Sequence, residues 1–333
     1  MFNVAPSDYC NIAPHEKPRL TVVIDTEEEF DWSRDFAREN TSVRAMQWVG
    51  RAQEVFDEYG ITPVYVIDYP VASQPDGHTP LAEIHGDGRC IIGTHLHPWV
   101  NPPFEEVVNR RNSFAGNLSM TLEKVKLLVL TECIEEHFGT RPTIYKAGRY
   151  GVGPNTTTIL EELGYEIDLS VCPHMNYATE DGPDYSDNSS WPFWFGKDKQ
   201  LLELPLTVGF TGFLRHVGPA LHPVVTNSLF TSLRIPGILA RLNVLNKSWL
   251  SPEGYSSTEH QHVTRTLYNA GLRVFSMAFH SPSMEPGHTP YVRSKTDLDD
   301  FLGRLRCFFD FFFGKMQGVA STPLRLKQEL LKT

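Results

Sequence analysis

Apolar runs rich in β-branched residues recur along this chain, each followed by a stretch with helical spacing. That alternation restricts it to a mostly parallel sheet flanked by helices, because parallel neighbours need a crossover between them and bury both faces of the sheet. The runs at 20–25, 63–68, 90–95, 144–147 and 274–279 read as strands. Helical spacing fills 43–59, 119–137, 155–163, 258–270 and 296–313, and Gly60, Gly139 and Gly164 stop the first three. An α/β class follows, with residues 1–19 as an N-terminal extension and 20–333 as a single domain. Within it, 173–194 is an irregular loop of the kind that forms lids or binding loops, and 209–255 is an insertion.

With 333 residues, 41% of them hydrophobic and 21% charged, the chain can bury a sizeable core, which excludes disorder as its main state. A formal charge of −10 without a long basic tract excludes nucleic-acid backbone binding as the main task. Cys10, Cys90, Cys133, Cys172 and Cys307 form no CxxC pair and read as reduced thiols of a cytoplasmic protein. No run of about 18 apolar residues offers a membrane span, and the first residues lack the basic start and apolar stretch of an export signal. On the last helix, Leu298, Phe301, Leu302, Leu305, Phe308, Phe309 and Phe312 form one stripe for the core. Phe311 and Phe313 fall off it and are expected to cover a partner surface or the insertion.

Ligands of parallel α/β folds bind where the strands end, so polar residues there are the first functional candidates. Asp25 and Glu27, two apart on an extended segment, face one way and can converge on one spot. Glu28, Glu29 and Asp31 beside them read as helix-capping or solvated acids. His95 and His97 repeat the two-residue spacing, which is workable metal-ligand geometry beside an acidic strand end. Two imidazoles and one carboxylate leave positions open, and the cation of such a site brings the pKa of water toward about 7. Lys146 and Arg149 place two cations at the same rim, and either one beside Asp25 would keep that carboxylate ionised. The glycines of 148–153 fit the phosphate-binding patterns poorly. Asp168 follows the next strand, and His280 closes the last with a side chain suited to general acid work.

This constellation resembles the polysaccharide deacetylase, or NodB-homology, family, in its WalW-like branch, over nearly the whole chain. The resemblance implies a distorted (β/α)7 barrel. It matches Asp25 to the family's catalytic base and Glu27 to the acid that binds metal. His95 matches the first metal histidine, and where members place the second, this chain has Trp99, which leaves His97 to take that ligand's place. Lys146 stands where the family's arginine holds the catalytic aspartate, with Arg149 three residues on. Asp168 matches the acid that orients the final histidine, here His280.

The activity so implied is metal-dependent removal of an acetyl group from an N-acetylated sugar or glycan precursor. A divalent ion, Zn²⁺ first, would sit on Glu27, His95 and His97 with its water as nucleophile, and His280 paired with Asp168 would protonate the departing amine. Trp99, Tyr150, Trp191 and Trp194 offer flat faces for sugar rings. Two other readings stand beside it. One is a hydrolase of a small non-peptide amide or ureide, prompted by the missing export signal. The other is a non-catalytic barrel that binds glycan or metal, prompted by Trp99 and Lys146.

Overall fold

The computed structural model describes residues 4–30 and 34–332, so Asp31 lies outside the described residues. Its strands are β1 (Arg19–Thr26), β2 (Val64–Ile67), β3 (Ile91–Leu96), β4 (Ile144–Ala147), β5 (Ile167–Asp168), β6 (Phe193–Phe195), β7 (Leu201–Glu203), β8 (Val208–Thr211), β9 (Asn246–Trp249), β10 (Val274–His280) and β11 (Val319–Ala320). The main sheet runs β10-β1-β2-β3-β4-β5-β7-β6, with β11 on the start of β1. Pairing is parallel from β10 through to β7, and β6 alone in that order runs antiparallel. These parallel strands curl into a distorted (β/α) barrel, the fold that the family resemblance implies, and their order is the mostly parallel sheet that the alternation predicts. Irregular chain bridges β7 and β10: the Thr207 amide donates to the Ser276 carbonyl at 3.1 Å, the Leu250 amide to that of Thr207 at 2.8 Å, and the Ala278 amide to that of Leu250 at 3.2 Å.

The helices are α1 (Gly50–Glu58), α2 (Tyr69–Ser73), α3 (Pro75–Gly86), α4 (Met120–Phe138), α5 (Thr156–Leu163), α6 (Gly218–Val225), α7 (Ser228–Ser232), α8 (Ile235–Arg241), α9 (Ser257–Asn269), α10 (Lys295–Phe309) and α11 (Pro323–Leu330). Local chemistry sets their ends. Ser119 caps α4 by accepting from the Leu122 amide, and Gly139 closes it at a φ of 67°, which a glycine adopts without steric cost. Capping boxes Ser256/Glu259 and Ser294/Asp297 start α9 and α10. Between β2 and β3, α2 and α3 escape a periodicity reading because Pro70, Pro75 and Pro80 interrupt it. Yet Pro70 and Pro75 lie in first turns, where a missing amide hydrogen costs nothing.

β1 shows what a parallel barrel demands, because Leu20, Val22, Val23 and Ile24 are all buried although they alternate between faces. Aromatic rings join α10 and the helical turn after it to the sheet, with Phe279 and Phe301 centroids 5.2 Å apart and Phe275 and Phe312 5.6 Å apart. Phe311 and Phe313 correct the sequence expectation. After Phe309 the helix widens into a π-helical turn over Asp310–Lys315, which rotates Phe311 into the core under the Arg265 guanidinium. Phe313 packs half-buried against Tyr59 and Phe309. Among the described residues no helix is long and apolar enough to cross a membrane.

One buried cation fixes the loop that leaves β3. Lys126 on α4 donates to the carbonyls of Pro98, Asn101 and Pro103 at 3.0, 2.6 and 2.7 Å, and pairs with Glu106 at 2.9 Å. Lys126→Met leaves a buried carboxylate and three carbonyls without their donor, and should destabilise the fold by about 3–5 kcal/mol in urea titration. A change below about 1 kcal/mol would show that water replaces the ammonium there.

Candidate active site

The ends of β1 and β3 bring Glu27, His95 and His97 together. The Nε2 atoms of both histidines lie 3.5 Å from the same Glu27 oxygen, Oε2. The far nitrogen of each ring is anchored: His95 Nδ1 to the Lys146 carbonyl at 3.1 Å, and His97 Nδ1 to Glu28 Oε2 at 2.8 Å. Both anchors are acceptors, so each Nδ1 carries the proton and each Nε2 lone pair faces Glu27. Burial pushes both imidazoles down to about 4, which keeps them neutral. Two neutral imidazole nitrogens and a carboxylate, each buried, fit a divalent ion with coordination positions left open. A Cβ on Gly148 would stand 2.3 Å from His97 Cδ2, so the turn after β4 approaches that ring as closely as glycine alone permits.

Further carboxylates surround this group. Glu28, fully buried, accepts from His97 and, through its other oxygen, from Trp99 Nε1 at 2.9 Å. Asp68, at the end of β2, caps α2 through the Val71 amide and also accepts from the Glu28 amide at 2.7 Å. Burial raises Glu27 and Glu28 to about 7 and Asp68 well above the carboxylate range. A cation at the Glu27 cluster would lower the cost of ionising these acids, which supports the fit.

Asp25 lies across the site with Lys146 Nζ 2.6 Å from both of its oxygens. Burial acts to raise its pKa, but the Lys146 ammonium above all, with His280, outweighs that and holds it below the usual carboxylate value. Lys146, not Arg149, therefore holds Asp25. Arg149 leaves β4 in a left-handed turn, bonds Ser113 at 2.6 Å, pairs with Glu180 and lies over the Phe114 ring. His280 stands opposite Asp25 in the β1–β10 ladder, with Nε2 3.9 Å from Asp25 Oδ2. Its Nδ1 meets Glu253 Oε2 at 2.7 Å, and Glu253 is braced by Ser283 Oγ at 2.5 Å. Burial would lower His280, yet Glu253, Glu27 and Asp25 together push it up to about 10.

Asp168 is thus not the partner of His280. It bonds Ser170 and faces Glu203 across the β5–β7 register, and burial raises it to about 6. Trp191 and Trp194 also depart from expectation: they pack half-buried against the core beside β6, away from the cavity. Trp99 borders the cavity but is buried, its ring stacked 4.3 Å from that of His97, so it supports His97 and Glu28 and presents no open face. Tyr150 lines the cavity under the Lys146 ammonium.

Asp25, Glu27, His95, His97, Lys146 and His280 all open onto one cavity of about 770 Å³, and an adjoining hollow of about 330 Å³ lies past Asp25 and His280 against Glu253 and Tyr255. Sequence reasoning missed Asp68 and Glu253, and its reading of Glu28 as a capping or solvated acid is corrected by that residue's full burial against His97 and Trp99. Asp68 carried the available signal, since it ends a strand as Asp25 does. Glu28 points away from Glu27 along the chain, and Glu253 sits in a Ser/Pro/Gly-rich stretch without periodicity, so neither had one.

No family model matches the chain, and no curated protein does. Solved structures do. A protein described as a polysaccharide deacetylase from Mycobacterium smegmatis superposes with a TM-score of 0.56 at 14% identity, covering 99% of this chain and 96% of that one. PuuE allantoinase gives 0.54 at 13%, covering 97% and 94%. A polysaccharide deacetylase, so described, from Pseudomonas aeruginosa PAO1 gives 0.52 at 13%, covering 94% and 91%. The chain has the fold of the polysaccharide deacetylases.

Proposed function

We propose that this chain is a metal-dependent hydrolase that removes the acetyl group from an N-acetylated sugar or glycan precursor. The observation that carries the reading is the meeting, in one cavity, of a carboxylate–diimidazole cluster, an aspartate paired with a buried lysine and a histidine paired with a buried glutamate. Glu27, His95 and His97 would hold the ion, Zn²⁺ first by its donor set, and the ion would polarise the acetamide carbonyl and acidify water.

The chain's own groups account for the proton movements. Asp25, kept ionised by Lys146, takes a proton from the attacking water as its oxygen bonds the acetyl carbon. His280, kept protonated by Glu253, donates from Nε2 to the sugar nitrogen as the carbon–nitrogen bond breaks. Acetate and a free amino sugar leave. Tyr150, Tyr177, Trp249 and Tyr291 line the cavity with rings on which a sugar can stack. A small amide or ureide is the second reading, favoured by the fold shared with an allantoinase. Five unpaired cysteines fit a reducing, cytoplasmic setting.

Purified protein should contain one divalent ion and release acetate from a panel of N-acetylated sugars, sugar nucleotides and oligomers. Ammonia or urea released from ureides without acetate would transfer the assignment to the second reading. Asp25→Asn should lower turnover about 10²–10⁴-fold with metal content unchanged, and full activity in that variant would sink the mechanism. Glu28→Gln should weaken metal affinity about 10–100-fold, measured by competition with a chelating dye, because His97 loses its charged acceptor. His280 donates only while protonated, so activity is present at lower pH and is lost as pH rises through its pKa. Glu253→Gln removes the charge that raises that pKa, and the alkaline limb of the pH–rate profile should move toward neutrality. An unmoved limb would free His280 of that role.

A further inference from the structure

Residues 204–252 contain no acid and four cations, Arg215, Arg234, Arg241 and Lys247, in a chain whose formal charge is −10. Within this stretch α6, α7 and α8 bury a single residue of their own, Gly218. Large apolar side chains instead face water: Phe213 is 78% exposed, Leu229 64% and Leu242 64%, with Val224, Leu233 and Ile238 also exposed. Arg215, Arg234 and Arg241 are exposed among them, whereas Lys247 is engaged by the His174 carbonyl at 3.2 Å.

Apolar surface on this scale marks a contact region. Its composition narrows the occupant. Apolar side chains interspersed with guanidinium groups, on a segment without a carboxylate of its own and with the neighbouring Glu259 bonded to Asn246, match the boundary between acyl chains and anionic headgroups, where the former enter the apolar layer and the latter meet phosphate. A second copy of the chain fits badly, because a two-fold contact would set this basic surface against itself. We propose that residues 212–244 dock the protein on an anionic lipid bilayer.

The site's position gives that docking a consequence. The antiparallel β8–β9 pair sets Val208 against Trp249 at the cavity end and Thr211 against Asn246 at the lobe end, a span of roughly 10 Å. Phe210 bridges the two regions, its ring 5.0 Å from His174 and 5.6 Å from His222 on α6, and Met175 next to His174 lines the cavity. The basic apolar lobe and the cavity mouth therefore share a rim, and docking brings the mouth to the headgroup layer. The inference does not depend on the hydrolytic reading.

The test is co-sedimentation of the full chain with vesicles of phosphatidylcholine alone and of phosphatidylcholine mixed equally with phosphatidylglycerol. Binding is expected to the mixed vesicles only, and should weaken with salt. The triple variant Arg215→Gln, Arg234→Gln, Arg241→Gln should bind roughly 100-fold more weakly, about fivefold per arginine. Leu229→Ser with Leu242→Ser should also weaken binding, with circular dichroism unchanged. Wild-type protein left in the supernatant with mixed vesicles overturns the proposal whether or not a variant folds. So do undiminished binding by the arginine variant, and binding to polyglutamate in place of mixed vesicles.

Discussion

Lys146 and Asp25 meet inside the barrel, the ammonium 2.6 Å from both carboxylate oxygens and both side chains buried. Their strands, β4 and β1, are separated by β2 and β3, so the pair spans the interior and does not run along a ladder. Neither charge is tolerable there without the other, since the desolvation cost of each is offset only by its partner and by further hydrogen bonds. The ends of the intervening strands are thereby held around one hollow. His280 then falls opposite Asp25, and His95 opposite Lys146, by parallel register.

A second regularity follows from burying imidazoles. Every histidine of the site has its Nδ1 held from behind, His95 by a backbone carbonyl, His97 by Glu28 and His280 by Glu253. The tautomer and the ring plane are set together, and Nε2 faces the cavity in each case. The difference in charge state comes from what lies behind and around the ring. Burial governs His95 and also His97, although Glu28 stands behind the latter, while Glu253, with Glu27 and Asp25 near, keeps His280 protonated. One pocket thus contains lone-pair donors and a proton donor of the same residue type. That division is what separates this site from a general histidine-rich cavity, and it matters because the fold alone is shared by proteins of different chemistry.

Much of the architecture is legible in the sequence because buried parallel strands have a strong local signature. Residues 20–25, 63–68, 90–95 and 274–279 are apolar runs closed by polar residues, and spacing by two marks Asp25 with Glu27 and His95 with His97 as sharing a face. The antiparallel β8–β9 pair was not legible, since its strands lie far apart in sequence and flank three helices with little amphipathic pattern. The position of Phe311 was not either, because a single extra residue in a helical turn leaves no trace in periodicity.

Local sequence determined which residues sit at the strand ends and which way their side chains alternate. Only the tertiary structure decided who meets whom there. Arg149 and Lys146 carry the same charge three positions apart, yet the left-handed turn after Lys146 carries Arg149 off to Glu180 and Ser113. Asp168 and Glu253 carry the same group, yet Asp168 Oδ1 is taken by Ser170 just past its own strand, while Glu253 arrives from a distant loop to bond His280. The reason is physical. Periodicity is a property of a few consecutive residues, whereas charge pairing depends on distances of a few ångströms between segments that the chain brings together only by folding.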